Sequence, residues 1–150
     1  DCPMYMRIAP ELYLKRLLAA AKTPAQTGYA KALIDTHNVS LALKGRDPII
    51  PGGRIDPELL KGKGQDAIIE AIREENYADV DGDRPAEIER TIREALKRFA
   101  EGLMRKDPLS DAPIIGVLIL KQIAQRNVTI LLKMKSAGMS AERIEEVLVR

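Results

Sequence analysis

The 150-residue sequence has little of what catalytic and metal sites are built from. It contains one histidine, one cysteine, one phenylalanine, four tyrosines and no tryptophan. A single cysteine cannot form an internal disulfide, so a reducing compartment is the simplest interpretation. A single histidine excludes a metal site with paired imidazole ligands. Because aromatic residues are scarce, the core must come from Leu, Ile, Val, Ala and Met, which suits packed helices better than a sandwich or barrel.

The sequence also lacks a dominant charge and a long apolar run. Its 24 basic and 22 acidic residues give a net charge of +2, which indicates a mixed solvated surface and predicts no nucleic-acid binding. The longest apolar run, residues 112–120, is nine residues long and predicts no membrane span. No signal peptide is visible. Because the chain begins with Asp1 rather than Met, we expect a piece of a longer protein.

Motifs for catalysis or cofactor binding are missing as well. No GxSxG elbow occurs, and Gly52-Gly53 is not followed by the Lys-Ser/Thr pair of a phosphate loop. Asp79, Asp81 and Asp83 resemble the start of a calcium loop, but the glycine stands at loop position 4 rather than position 6. We therefore predict no catalytic residues, no cofactor and no metal, and interpret these aspartates as a solvated turn.

Apolar residues at spacings of three and four predict an all-α fold. Thr23, Asp56 and Ser140 stand where N-caps are expected. The apolar stretch 114–120 is also compatible with a buried strand, but no second strand candidate exists to pair with it. We predict that it is helical and buried on all sides. The predicted helices are 8–22, 24–46, a short one opening at 56–60, 66–75, 84–106, 114–135 and one from 140.

One helical phrase occurs twice, as NVSLALKGR from Asn38 and NVTILLKMK from Asn127. Four of the nine positions are identical, and on a helix each Asn shares a face with apolar neighbours. A buried amide needs hydrogen-bond partners, so each Asn is predicted to tie its helix to a neighbouring segment. Each phrase is followed by a Gly-containing break and a capped short helix. The sequence thus predicts two repeat units of long helix, Gly turn and short capped helix, at 1–76 and 77–150.

Both phrases end in basic residues at corresponding positions, Lys44 and Arg46 in the first and Lys133 and Lys135 in the second. Two interpretations stay open for these side chains. They complement the negative end of a helix dipole, or they contact a partner.

Three stretches, in order, resemble the C subunit of the A/V-type ATP synthases, a family related to the d subunit of eukaryotic V-ATPases. They are LYLKRLLAAAK at 12–22, ALIDTHNVSLALKGR at 32–46, and IIGVLILKQIAQRNVTILLKMKSAGMSAERIEEVLV at 114–149. The likeness covers most of this chain but about half of the family's expected length, and indicates its C-terminal half. The chain departs from the family after Lys121, where Gln122 and Gln125 replace the usual glutamates, and at Thr129, where a basic residue is usual. These departures put particular ionic contacts in doubt, not the fold.

The resemblance implies a non-catalytic protein that is part of a funnel of repeated helical domains on the cytoplasmic face of the membrane. Such a protein links the central stalk to the membrane rotor ring and transmits torque during proton- or sodium-coupled ATP synthesis or hydrolysis. Its partners are then central-stalk subunits and the ring, with no nucleic acid and no membrane span of its own. The alternative from the residues alone is a free-standing helical adaptor that binds a partner helix. A helical nucleic-acid binder and a small helical enzyme are further alternatives.

Overall fold

The computed structural model describes residues 3–47, 50–75, 77, 79, 80, 82, 84–106 and 108–149, without the side chains of residues 3–9. Throughout these ranges the regular structure is α-helical and no strand occurs, so the predicted all-α class is confirmed. The predictions that concern Cys2, Asp81 and Asp83 lie outside the described residues. The helices are α1 (Pro3–Ala20), α2 (Pro24–Ala42), α3 (Pro57–Leu60), α4 (Gln65–Glu74), α5 (Pro85–Met104), α6 (Ala112–Ser136) and α7 (Ala141–Glu145).

The contacts divide the chain into two compact units, Asp1–Glu75 and Asn76–Arg150. The first holds α1 to α4 and the second holds α5 to α7. That the two units are copies of one repeat stays a prediction.

The three predicted N-caps are confirmed. The Thr23 hydroxyl accepts a hydrogen bond from the Gln26 amide at 3.2 Å, and Pro24 occupies the first helical position of α2. The Asp56 carboxylate accepts from the Glu58 amide at the start of α3, and the Ser140 hydroxyl accepts from the Arg143 amide at the start of α7. Each side chain satisfies a backbone donor that has no partner inside its helix.

The core of the first unit lies between α1, α2 and the segment that follows α2. Leu14, Ile34 and Ile50 form a buried cluster, so the non-helical segment at Ile50 also contributes to the core. Ile55, Leu60 and the α4 residues Ile68 and Ile72 are also buried. The α4 helix therefore buries the apolar stripe that its spacing predicts.

The end of α2 differs from the prediction. The helix ends at Ala42 rather than near Arg46, because Gly45 adopts a left-handed φ of 65° that stops the helix. The Arg46 amide donates to the Leu41 carbonyl at 3.0 Å, and the Gly45 amide donates to the Ala42 carbonyl at 2.9 Å. These bonds form a Schellman motif. The same motif ends α6, where Gly138 has a φ of 71°.

The second unit is built on the packing of α5 against α6. The buried face of α5 carries Ile88, Ile92 and Leu96, as its spacing predicts. At Gly116 the two helices approach so closely that a Cβ atom would lie 2.7 Å from the Ala100 carbonyl oxygen. The glycine is thus needed for contact between the two backbones.

The prediction that 114–120 is buried on all sides is wrong, although the stretch is helical as predicted. Ile115 and Ile119 face α5 and are buried, whereas Ile114, Val117 and Leu118 are exposed by half or more. A continuously apolar stretch does not reveal which of its faces has a partner, because its hydrophobic pattern has no polar side. The α6 helix is also long and apolar enough, by length and composition alone, to cross a membrane; in the described residues it is the one helix of that kind.

Candidate functional site

Two buried side chains of α2 fasten the following segment to the helix. The Asp35 carboxylate accepts hydrogen bonds from the Arg54 amide at 3.0 Å and from the Ile55 amide at 3.1 Å, one at each oxygen. The Asn38 side-chain amide donates to the Ile50 carbonyl at 2.8 Å. Asp35 and Asn38 have no exposed surface and lie one turn apart on the same helix face. We call this arrangement the α2 clamp.

A glycine completes the α2 clamp. A Cβ atom at Gly53 would collide with the Asp35 carboxylate, whose carbon would lie 2.9 Å away. Only a residue without a side chain therefore lets the backbone come close enough to donate to both carboxylate oxygens. Sequence reasoning did not single out Asp35 as a site residue. The available signal was an acidic residue inside an apolar helical stripe, followed by a Gly-Gly pair.

Asn127 makes the corresponding tie in the second unit. Its side-chain amide donates to the Val149 carbonyl at 2.8 Å, and its side-chain oxygen accepts from the Val149 amide at 3.3 Å. The residue thus pairs with both backbone groups of Val149, which follows α7 and is buried. The two repeated asparagines therefore each bond the segment that returns after their own helix. Their equivalence as repeat residues stays a prediction.

The two ties differ in one respect. The Asn38 side-chain oxygen is buried and has no hydrogen-bond partner among the described residues, whereas the corresponding oxygen of Asn127 is paired. The neighbouring carboxylate also differs, because the residue that aligns with Asp35 is Ala124. The first unit holds its segment with a carboxylate and one amide bond, whereas in the second unit the tie to Val149 is made by one asparagine without a neighbouring carboxylate.

The four basic residues at the ends of the repeated phrases do not occupy equivalent positions. Lys44 and Arg46 lie in the turn beyond the end of α2, so their predicted place in its last helical turn is wrong. Lys133 and Lys135 do lie in the last turn of α6, where they complement its dipole. The Lys44 ammonium also donates to the Ser40 hydroxyl at 2.9 Å. All four are exposed, and their role as partner contacts stays a prediction.

The Glu89 carboxylate of α5 contacts a buried arginine of its own helix and an arginine of α6. The Arg93 guanidinium pairs with the Glu89 carboxylate at 3.0 Å, and the Arg126 guanidinium lies 3.6 Å from the same carboxylate. Burial lowers the pKa of Arg93, and the Arg126 charge lowers it further while Glu89 opposes the shift. Arginine stays protonated in proteins, so the cluster carries a fixed charge and fastens the two helices. Glu89 and Arg93 are four residues apart on α5, the spacing at which opposite charges on a helix pair.

The other polar features of the described residues do not form a catalytic or metal-binding arrangement. His37 is half-buried, and burial followed by the charge of Lys44 lowers its pKa, while Glu11 opposes the shift. Among the described residues no group of His, Cys, Asp and Glu could hold a metal ion. A groove of about 390 Å³ lies between the start of α5 and the α6–α7 turn, with apolar walls that include Met134 and Met139. Its Arg84 already pairs with Glu146 at 3.5 Å.

Comparison with known proteins gives one match. The family model described as ATP synthase (C/AC39) subunit matches residues 9–147. The match includes both repeated phrases, the α2 clamp and all of α7. No curated protein and no solved structure matches the chain significantly.

Proposed function

Because this chain belongs to the ATP synthase (C/AC39) subunit family, we propose that it is the non-catalytic component that links the central stalk to the membrane rotor ring. It transmits torque between them while ions cross the membrane and ATP is made or hydrolysed. It binds at the cytoplasmic face as a peripheral protein. The family match confirms the family resemblance that the sequence indicates. The link between stalk and ring, and the transmission of torque, are what we propose.

The observation that carries the proposal is the family match over residues 9–147, and the α2 clamp is compatible with it. An element that passes torque must keep its shape under load, and irregular segments are ordinarily the parts of a fold that deform most easily. Here the segment after α2 is held by three side-chain hydrogen bonds to its backbone, with Asp35 and Asn38 fully buried. Asn127 holds Val149, in the segment after α7, by two more. These bonds restrain the backbone of both segments, which is compatible with a part that carries load.

Titration of the folded chain with purified central-stalk subunits tests the proposal. We expect a stoichiometric complex in calorimetry at moderate salt. The exposed residues Lys44 and Arg46 are candidate contacts, and their double replacement by glutamate is expected to weaken binding by about tenfold or more. A matched control replaces Lys61 and Lys63, which are exposed in another turn of the same unit. No binding by the folded chain would contradict the proposed partner, and equal loss in both double variants would contradict the proposed contacts.

A further inference from the structure

The exposed apolar residues of α6 repeat with the spacing of a coiled-coil seam. They form two triplets that lie two heptads apart, which we call the α6 seam: Ile114, Val117 and Leu118, then Val128, Leu131 and Leu132. The heptad between them places Lys121, Ala124 and Gln125 at the same three positions, and all three are exposed. A heptad repeat keeps one stripe facing a partner helix along its whole length.

The α6 seam lies on the side of the helix away from α5. Ile115, Gly116 and Ile119 face α5 and are buried, whereas Ile114 is 65 % exposed and Leu132 is 64 % exposed. The first position of the α6 seam recurs every seven residues from Ile114 to Lys135. This stripe along α6 is about 30 Å long, enough for a partner helix of five to six turns. The packing within the second unit therefore accounts for one face of α6 and leaves this one uncovered.

The charge of α6 indicates the chemistry of the partner. The helix has four basic residues and no acidic residue. Two of them, Lys121 and Lys135, stand within the stripe and are two heptads apart, so each would face the docked helix. A docked helix must supply carboxylates there, because an ammonium group buried without a partner is costly.

We propose that the α6 seam docks an amphipathic helix of a separate polypeptide, whose apolar stripe is flanked by Glu or Asp residues spaced two heptads apart. The proposal rests on α6 alone and does not depend on the torque-transmitting role. A failure of the one is therefore separable from a failure of the other.

Two other occupants fit the observations less well. A second copy of α6 would bring four more basic residues and no carboxylate, and a parallel pair would set Lys121 against Lys121. A lipid surface favours helices with basic residues at the border and aromatic residues on the apolar face. In α6, Lys121 stands in the middle of the stripe, and no aromatic residue occurs between Ala112 and Ser136. A helix crossing the membrane would also carry Lys121 and Arg126 near its centre.

The test uses two synthetic four-heptad peptides, both with Ile at a and Leu at d. One has Glu at every e and g position and the other has Lys there, so each peptide repels itself and pairs poorly with its own copy. Each is titrated into the whole 150-residue chain by calorimetry at low and at moderate salt. We expect the Glu peptide to bind with a Kd in the micromolar range, and the Lys peptide to bind about tenfold more weakly or worse.

A matched pair of variants locates the binding surface. Lys121→Glu lies in the stripe, whereas Lys133→Glu makes the same change at another exposed position of the same helix. Neither side chain is buried, so both variants should fold, which circular dichroism checks. We expect Lys121→Glu to weaken Glu-peptide binding by about tenfold or more and Lys133→Glu to change it less than about threefold.

Several results would overturn the proposal. One is that neither peptide binds the folded chain, and another is that the Glu and Lys peptides bind it equally well. A third such result is that Lys121→Glu and Lys133→Glu weaken Glu-peptide binding to the same extent. Dimerisation of the parent chain that Leu132→Glu abolishes would assign the seam to a second copy. Sedimentation with phosphatidylserine vesicles that Leu132→Glu abolishes would assign it to a membrane surface.

Discussion

Asp35→Asn keeps the shape of a buried side chain but changes one of its two hydrogen-bond acceptors into a donor. In the folded chain one carboxylate oxygen accepts from the Arg54 amide and the other from the Ile55 amide. Asparagine has a single side-chain oxygen, so it can satisfy one of these donors only. Its NH₂ group then faces the other backbone N–H, and two donors oppose each other.

The expected cost follows from burial. Asp35 is 0 % exposed and Ile55 is 1 % exposed, so water cannot easily replace the lost acceptor at the Ile55 amide. A buried polar group left without a partner costs about 1–3 kcal/mol, and a hydrogen bond to a charged group contributes about 1.5–3 kcal/mol. Part of this cost is offset, because the neutral asparagine avoids the free-energy cost of burying a charge. We expect Asp35→Asn to lower the free energy of unfolding by about 2 kcal/mol.

Urea unfolding at pH 7, followed by circular dichroism at 222 nm, measures the change. Asp47→Asn is the matched control, because Asp47 is exposed in the turn after α2 and should shift stability by less than about 0.5 kcal/mol. A loss below about 0.5 kcal/mol for Asp35→Asn would refute the reasoning. So would an equal loss for the control, because the effect would then follow net charge rather than the α2 clamp.

Four further substitutions test other parts of the account. Asn127→Leu leaves both backbone groups of Val149 without their side-chain partner and should cost about 1–3 kcal/mol in urea unfolding, whereas unchanged stability would remove the proposed tie. Gly102→Ala, where a Cβ meets open space, should stabilise the exposed face of α5 by up to about 1 kcal/mol. Gly116→Ala should lower the stability of the chain, because the added Cβ atom meets the Ala100 carbonyl oxygen. A shift of the melting temperature in the same direction for Gly102→Ala and Gly116→Ala would contradict the helix packing. The pKa of His37 is lower in the folded chain than its ordinary value of 6.5. Between these two pKa values the unfolded chain binds more protons at His37 than the folded chain does. The free energy of unfolding is therefore expected to decrease as the pH falls from 6.5 through the folded pKa. His37→Gln should flatten that part of the stability–pH curve, and a curve parallel to the parent's would contradict the assignment.

The features that depend on local chemistry are predictable from the sequence. Thr23, Asp56 and Ser140 are N-caps as predicted, because a cap uses only a side chain and the amide two or three residues along. The predicted helix at 84–106 is likewise present as α5, and its apolar residues recur at helical spacing on the side that is buried. In these places a few neighbouring residues determine the structure.

The features that depend on distant contacts are not predictable in the same way. Asp35 bonds amides about 20 residues further along the chain, and no local pattern links a helix carboxylate to such a partner. The sequence predicts too late an end for α2 because the leucine and lysine pattern continues past Ala42, although Gly45 stops the helix. The sequence pattern does not show which side of α6 is exposed, because the apolar stretch at 114–120 has no polar side.

The central claim is that this protein couples the stalk to the ring, and its most direct test compares a rotary complex with and without it. ATP hydrolysis and ion pumping are measured on the same preparation, before removal of the protein, after removal, and after its return. The account predicts that removal abolishes pumping while the catalytic head retains hydrolysis, and that return of the protein restores pumping. Unchanged pumping per ATP hydrolysed in the complex that lacks this protein would contradict the claim.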